Sequence, residues 1–185
     1  MTGPSPASAV LSRLRLRPAT PADMAAVAAI YAHHVLNGRA SFELTAPDVA
    51  EMTRRFEAIA ALGLPYLVAE ADGAVLGYAY AARYRERAAY RFTVEDSIYV
   101  APEAGRRGVG RTLLAELIER CTALGYRQMV AVIGDTANVP SIGLHVRLGF
   151  RLVGVFPAIG FKFGQWVDSV LMCRALGDGD RSPPD

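Results

Sequence analysis

The stretch from Val100 to Leu114, Val-Ala-Pro-Glu-Ala-Gly-Arg-Arg-Gly-Val-Gly-Arg-Thr-Leu-Leu, constrains this chain more than any other because it joins two elements of different period. Before it, Val94 to Val100 alternates and is β-branched, which predicts a strand ended by Pro102. After it, Val109, Leu113, Leu117, Cys121 and Leu124 recur at helical spacing. A glycine-containing loop at a helix N-terminus turns unpaired backbone N–H groups outward, with the positive end of the helix dipole behind them. Gly108 and Gly110 carry no Cβ, so an anion can approach the main chain, while Arg106 and Arg107 add charge-assisted hydrogen bonds. The segment reads as an anion site that suits a pyrophosphate.

The elements around it follow in order. Arg13-Leu-Arg-Leu-Arg-Pro18 alternates as a first strand with Leu14 and Leu16 inward. Thr20-Pro21-Ala22-Asp23 starts a helix with Met24, Val27, Ile30, Tyr31 and Val35 on its buried stripe, ending before Asn37-Gly38. Thr45-Ala46-Pro47-Asp48 opens a second helix, stopped by Gly63 and Pro65. Tyr66 to Ala71 and Ala74 to Arg83 make a hairpin around Asp72-Gly73. Tyr84 to Phe92 has no apolar period and reads as a loop. Arg127 to Ile133 is nearly all apolar, as in an inner strand covered on both faces, and Val94 to Ile133 is then a right-handed parallel crossover. Asn138-Val139-Pro140-Ser141 begins a short helix closed by Gly149; Phe150 to Phe156 and Gln165 to Leu176 are the last strands.

Composition sets the class. A chain of 185 residues, 52% hydrophobic and 21% charged, suits one domain. We place it at residues 12–176, with a flexible start at 1–11 and a flexible tail at 177–185. Met1 to Ser12 has neither the charged region nor the apolar run of a signal peptide, and apolar runs such as Ala74 to Ala82 are too short for a membrane span. A soluble, cytoplasmic protein without a membrane partner is expected. Cys121 and Cys173 read as buried thiols, and His33, His34 and His145 show no metal-ligand spacing with them, so no metal is implied. A net charge of +2 gives no support for nucleic acid as a partner. Lys162 is the only lysine among 20 basic residues, so arginine clusters are discounted and each arginine is judged by position.

The loop is not a nucleotide P-loop, which ends Gly-Lys-Ser/Thr, nor a G-x-G-x-x-G dinucleotide fingerprint. Strand, Pro102, Arg106-Arg107-Gly108-Val109-Gly110, helix, then Asn138 and Gly149-Phe150 after a second strand resemble the GNAT N-acetyltransferase superfamily over about residues 12–176. That resemblance implies an α/β (α+β) single domain: a central mixed, mostly antiparallel sheet with helices on both faces. It also implies acetyl-CoA as cosubstrate, its pyrophosphate on the loop Gly105 to Arg111. Gly105 stands where the family usually has Gln or Arg, which removes a side-chain donor and leaves the backbone cradle.

Within the superfamily the chain is similar to the phosphinothricin N-acetyltransferases, which acetylate phosphinothricin and methionine sulfoximine. The similarity is carried by Ser41-Phe42-Glu43, Ala89-Tyr90-x-x-Thr93-Val94-Glu95, Ser97 to Pro102, Val130 to Gly134, His145 with Leu148-Gly149-Phe150, and above all Gly160-Phe161-Lys162-x-Gly164-x-Trp166. The resemblance implies a small amine acceptor and homodimerisation.

Acetyl transfer needs a polarised thioester carbonyl, a neutral amine and a proton for the leaving thiolate. An α-amine with a pKa of roughly 8 or above needs a base at neutral pH. By resemblance Glu95, in Thr-x-Glu, is that base, directly or through a water; the competing reading pairs it with Arg87 or Arg91. Asp96, on the other face of a regular strand, is the weaker candidate. The resemblance puts free backbone N–H groups at Ile98, Tyr99 and Val100, pantetheine between this strand and Arg127 to Ile133, and Asn138 and Ser141 beside the cofactor. Asn138 reads equally as a helix N-cap. His145 matches the position of a thiolate proton donor, against a place in the core. For the acceptor, Arg83, Arg85 and Arg87 share a face if their segment stays extended, and they, Arg87 first, meet a carboxylate; solvated arginines are the alternative. Thr93 lines the site, Phe42 and Trp166 wall it, and Lys162 meets a phosphinate or sulfoximine. Two other functions stay open: a protein N-terminal or lysine acetyltransferase, and a silent CoA-binding module.

Overall fold

The computed structural model describes residues 13–184; the expected flexible start at residues 1–11 lies outside them. Seven strands form one sheet: β1 (Arg15–Pro18), β2 (Tyr66–Ala71), β3 (Ala74–Arg83), β4 (Thr93–Val100), β5 (Gln128–Gly134), β6 (Arg151–Lys162) and β7 (Gln165–Ala175). Their spatial order is β1-β2-β3-β4-β5-β7-β6. Only β4 and β5 run parallel, so the sheet is mixed and mostly antiparallel as expected.

Four α-helices flank it: α1 (Met24–Asn37), α2 (Val49–Ala61), α3 (Val109–Ala123) and α4 (Val139–Arg147). Period-two alternation assigns them to faces. On one face Tyr66, Tyr78, Tyr80 and Tyr99 stack at 5.0–6.4 Å, and Tyr31 of α1 and Phe56 of α2 close edge-on against Tyr99 and Tyr66. On the other face small side chains admit α3: a Cβ on Gly77 would lie 3.2 Å from Leu113. Leu113, Leu114 and Leu117 of α3 are fully buried there, each contributing about 2 kcal/mol of apolar burial.

Several element ends differ from the sequence reading. Asp48, not Thr45, caps α2, its carboxylate accepting from Glu51 N at 2.8 Å. Residues 84–92 contain a 3-10 turn, Ala88–Tyr90. The strand expected to stop at Phe156 continues to Lys162 through irregularities between Leu152 and Gly154 and between Phe156 and Gly160, where Ala158 takes a left-handed φ of 51°. Cys121 is buried but Cys173 only half-buried. Beyond β7 the chain turns back, and Arg127 donates to Ser182 Oγ at 3.1 Å and to the Pro183 carbonyl at 3.0 Å. Among the described residues no helix is long and apolar enough to cross a membrane.

The start of the fold is fastened by charge. Arg17 Nη2 lies 2.7 Å from Asp23 Oδ1 and Arg17 Nε 2.8 Å from Glu70 Oε2, while Thr20 N donates to Asp23 at 2.7 Å. These donors hold the Asp23 carboxyl down from its usual 3.8 to about 2. A depressed carboxyl stabilises the fold above its unfolded pKa and loses that contribution as pH falls through the folded value. Urea titrations at pH 5 and pH 2.5 should therefore show an acid loss about 1–2 kcal/mol smaller in Asp23→Asn than in the parent.

Candidate active site

The site begins where β4 and β5 stop pairing. Their parallel register runs from Thr93↔Gln128 to Asp96↔Ala131 and no further. Yet β4 continues on β3 to Val100↔Gly77, and β5 continues on β7 to Gly134↔Ser169. The two strands therefore diverge into a wedge with its vertex at Asp96 and Ala131. Ile98, Tyr99 and Val100 form one wall; Tyr99 pairs with Tyr78 on β3, while Ile98 and Val100 turn their backbone groups toward β5 without a ladder partner, the Val100 carbonyl accepting from His34 Nε2 at 2.9 Å.

The expected anion loop lies on the α3 face. Arg106 and Gly108 both take left-handed conformations, φ 58° and 86°. Gly108 caps α3 without a side-chain hydrogen bond. The first intrahelical bond is Thr112 N to the Gly108 carbonyl at 3.0 Å, so the N–H groups of Val109, Gly110 and Arg111 find no acceptor within the helix. Gly110 backs onto Ile98 and Val100, placing the loop beside the wedge wall. Gly105, Arg106, Arg107 and Arg111 are exposed around it. These residues fit a pyrophosphate linked to a thioester arm in the wedge. Asn138 does cap α4, its Oδ1 accepting from Ser141 N at 3.3 Å, and a cleft of about 420 Å³ opens beside it between Arg39, Asp135 and Phe163.

Glu95 faces the opposite way. It is opposite Ala82 on β3 and in register with Val130 on β5, so Thr93, Glu95, Ser97 and Tyr99 share a face with the tyrosines. Burial first, then Asp96, raises the Glu95 carboxyl above its ordinary value, and Arg85 opposes the shift. Among the described residues no ion pair holds it: Arg91 instead lies 4.5 Å over the Phe92 ring. From Val130 the strand runs past Val132, 42% exposed in the middle of the sheet, to Gly134, whose Cβ would meet Phe42 at 3.1 Å. This is a trough with Val132 on its floor, Glu95 at one end and Phe42 at the other, roughly 13 Å apart along four residues of strand.

The segment joining α1 to α2 closes the Phe42 end. Phe42 packs flat on Gly160, where a Cβ would lie 2.5 Å from the ring. Tyr31 donates to Glu43 at 2.9 Å, Arg55 pairs with Glu43 at 2.6 Å, and Arg39 pairs with Asp135 at 2.6 Å. Lys162 is 3% exposed and donates to the Ser41 carbonyl at 2.7 Å. Its ammonium is thus engaged in holding this segment rather than offered to a ligand.

One other expectation changes. Arg83, Arg85 and Arg87 do not share a face, because the chain bends after Arg83 and Arg87 begins the 3-10 turn. Arg83 is opposite Val94, on the α3 face, away from Glu95. Arg85 is the one whose charge reaches Glu95, with its guanidinium 5.1 Å from the Tyr84 ring centroid and 5.9 Å from that of Tyr90. Trp166 is 66% exposed and stands edge-on to Phe161. His145 is not brought together with Glu95: it lies under the other face of β4, 2% exposed, with Nε2 3.0 Å from Asp96 Oδ2 and Nδ1 2.8 Å from the Ser141 carbonyl. Both ring nitrogens are engaged there.

The family model described as "Acetyltransferase (GNAT) family" matches residues 30–150. The chain belongs to that family. It is 55% identical over 163 residues to a phosphinothricin N-acetyltransferase of Alcaligenes faecalis, covering 88% of this chain and 83% of the relative. It is 44% identical over 170 residues to an L-methionine sulfoximine/L-methionine sulfone acetyltransferase of Pseudomonas paraeruginosa, covering 91% and 98%. The crystal structure of a phosphinothricin acetyltransferase from Sinorhizobium meliloti in complex with acetyl-CoA superposes with a TM-score of 0.90 at 52% identity, covering 94% of each chain.

Sequence reasoning missed Val132, Gly134 and the Tyr31–Glu43–Arg55 network, because which side chains face each other across the trough depends on strand register. Replacing Lys162 with Met keeps the volume but removes the donor to Ser41. The variant should be less stable by about 1–3 kcal/mol, and its KM for the acceptor amine should rise while its acetyl-CoA affinity is unchanged, measured by calorimetry and steady-state kinetics.

Proposed function

We propose that this chain transfers the acetyl group of acetyl-CoA to the amine of a small amino-acid-like acceptor of the phosphinothricin or methionine sulfoximine kind. The observation that carries the reading is Glu95: a half-buried carboxylate without an ion-pair partner among the described residues, one residue before the wedge vertex and at the head of a short trough closed at Phe42. The closure at Phe42 favours a small acceptor over a peptide.

Acetyl-CoA supplies an activated carbonyl carbon. The loop Gly105 to Arg111 binds its pyrophosphate through the N–H groups of Val109, Gly110 and Arg111 with Arg106 and Arg107 alongside. The edge that Ile98 and Val100 turn toward β5, beside Tyr99, takes the pantetheine amides and the thioester oxygen, with Asn138 and Ser141 across the wedge. Glu95 removes the proton that keeps the amine from attacking; its raised carboxyl makes it a stronger base than an exposed glutamate. Arg85, whose charge acts on Glu95, and Arg87 two residues on are the guanidiniums for the acceptor's carboxylate, with Thr93 on the same face as Glu95. Cytoplasmic action and homodimerisation belong to the same proposal. Both cysteines are free, as a reducing compartment leaves them. Exposed Phe156, Ile159, Phe161, Phe163 and Trp166 on β6, β7 and the turn between them suit a second copy.

Glu95→Gln should lower turnover on methionine sulfoximine by about 10²-fold at pH 7, a loss that shrinks as pH rises and the amine deprotonates unaided. A pH–rate profile identical to the parent's would remove Glu95 from the chemistry. Gly108→Asn, which tolerates the left-handed backbone but adds bulk, should weaken acetyl-CoA binding about tenfold with the melting temperature held; unchanged affinity by calorimetry would move the pyrophosphate elsewhere.

A further inference from the structure

The wedge vertex holds a second carboxylate that the proposed reaction does not use. Asp96 is 6% exposed and points to the α3 face. Its Oδ2 lies 3.0 Å from His145 Nε2, and its Oδ1 is buried with no partner. On the far side of the ring, Nδ1 lies 2.8 Å from the Ser141 carbonyl, one turn back along α4. A carbonyl oxygen only accepts, so Nδ1 carries a hydrogen; where the carboxyl is ionised it too only accepts, and Nε2 then carries the other. The ring is then an imidazolium and the buried pair is neutral as a whole. Either charge alone at this depth would be strongly disfavoured.

The pair joins the two sides of the wedge. Asp96 is the last residue of β4 to pair with β5, and His145 belongs to the helix that carries Asn138 and Ser141. Phe150 packs edge-on against the ring, 4.9 Å between centroids, and covers it from the strand β6 side.

We infer that Asp96 and His145 form an ionic clasp that fixes α4 against β4 and so sets the opening that receives acetyl-CoA, with Asp96 as a positioning residue rather than a base. The inference rests on the acetyl-CoA reading of the wedge. The charged and titratable groups around the clasp are Glu95 on the opposite face of β4, Cys121 of α3, and Arg174 of β7, whose guanidinium donates to the Leu148 carbonyl at the end of α4. The hydrogen bond and charge of Asp96 raise the His145 pKa against the lowering effect of its burial. The sign follows: a raised imidazolium stabilises the clasp fully below the ordinary histidine value, and that contribution is lost as pH rises through the folded one.

The test is nitrogen-15 NMR of the His145 ring together with acetyl-CoA calorimetry across pH, on the full chain. The parent should show both ring nitrogens protonated at pH 7 and acetyl-CoA affinity that declines as that signal titrates. Asp96→Asn should show a neutral ring with hydrogen on Nδ1 and acetyl-CoA affinity about tenfold weaker. A neutral ring in the parent, or unchanged affinity in Asp96→Asn, overturns the clasp. If Asp96→Asn does not fold, the parent's ring protonation and the pH dependence of its affinity decide alone. Failure to acetylate any amine would sink the proposed function but not these binding readouts.

Discussion

Beyond Asp96 and Ala131 the ladder between β4 and β5 ends while each strand keeps its outer partner. Backbone groups in the middle of a sheet are rarely left without partners, because an unpaired buried N–H or C=O is costly. Seven strands in register would have closed this gap. In the proposed reading that gap is taken by acetyl-CoA, the family's cosubstrate, which has amide groups of its own. The helix-terminal loop, the α4 cap and the trough are arranged around that gap.

The gap also separates the chemistry by face. Neighbouring residues of one strand point in opposite directions, so Glu95 looks into the trough and Asp96 into the helical layer below it. Two adjacent carboxylates thereby acquire different surroundings. Among the described residues Glu95 is left without an ion pair and has its carboxyl raised by burial; Asp96 is committed to a histidine. A one-residue shift in register would exchange their roles, and the β3 pairing that holds Ala82 opposite Glu95 prevents it.

Much of this was legible in the chain. The passage from Val94 to Leu114 announced its strand, loop and helix through a change of period, and the loop's chemistry followed from glycines beside arginines. The parallel crossover and the two faces of helices came with it. Less was legible where distant segments meet. The alternating arginines suggested one face only on the condition of an extended backbone, and the bend after Arg83 removed that condition. Lys162 stood close in sequence to an aromatic motif, which said nothing of the carbonyl it would find at Ser41. His145 was placed correctly on its helix, but its partner lay 49 residues away. Local spacing encodes what a segment is, whereas partners across the fold are set by register and packing.

The bond from Lys162 to Ser41 spans 121 residues, most of the length of the domain. Contacts of such separation form only after intervening elements are in place, since closing so long a loop early carries a large entropic penalty. A closing contact of this kind, made after the sheet, would be absent from the folding transition state. Interactions absent from the folding transition state act on the rate of unfolding rather than of folding. Changes at Ser41, Phe42 or Lys162 would therefore alter how long the trough stays closed while leaving the speed at which the sheet forms untouched. That gives the acceptor end of the molecule room to vary without endangering the scaffold beneath it.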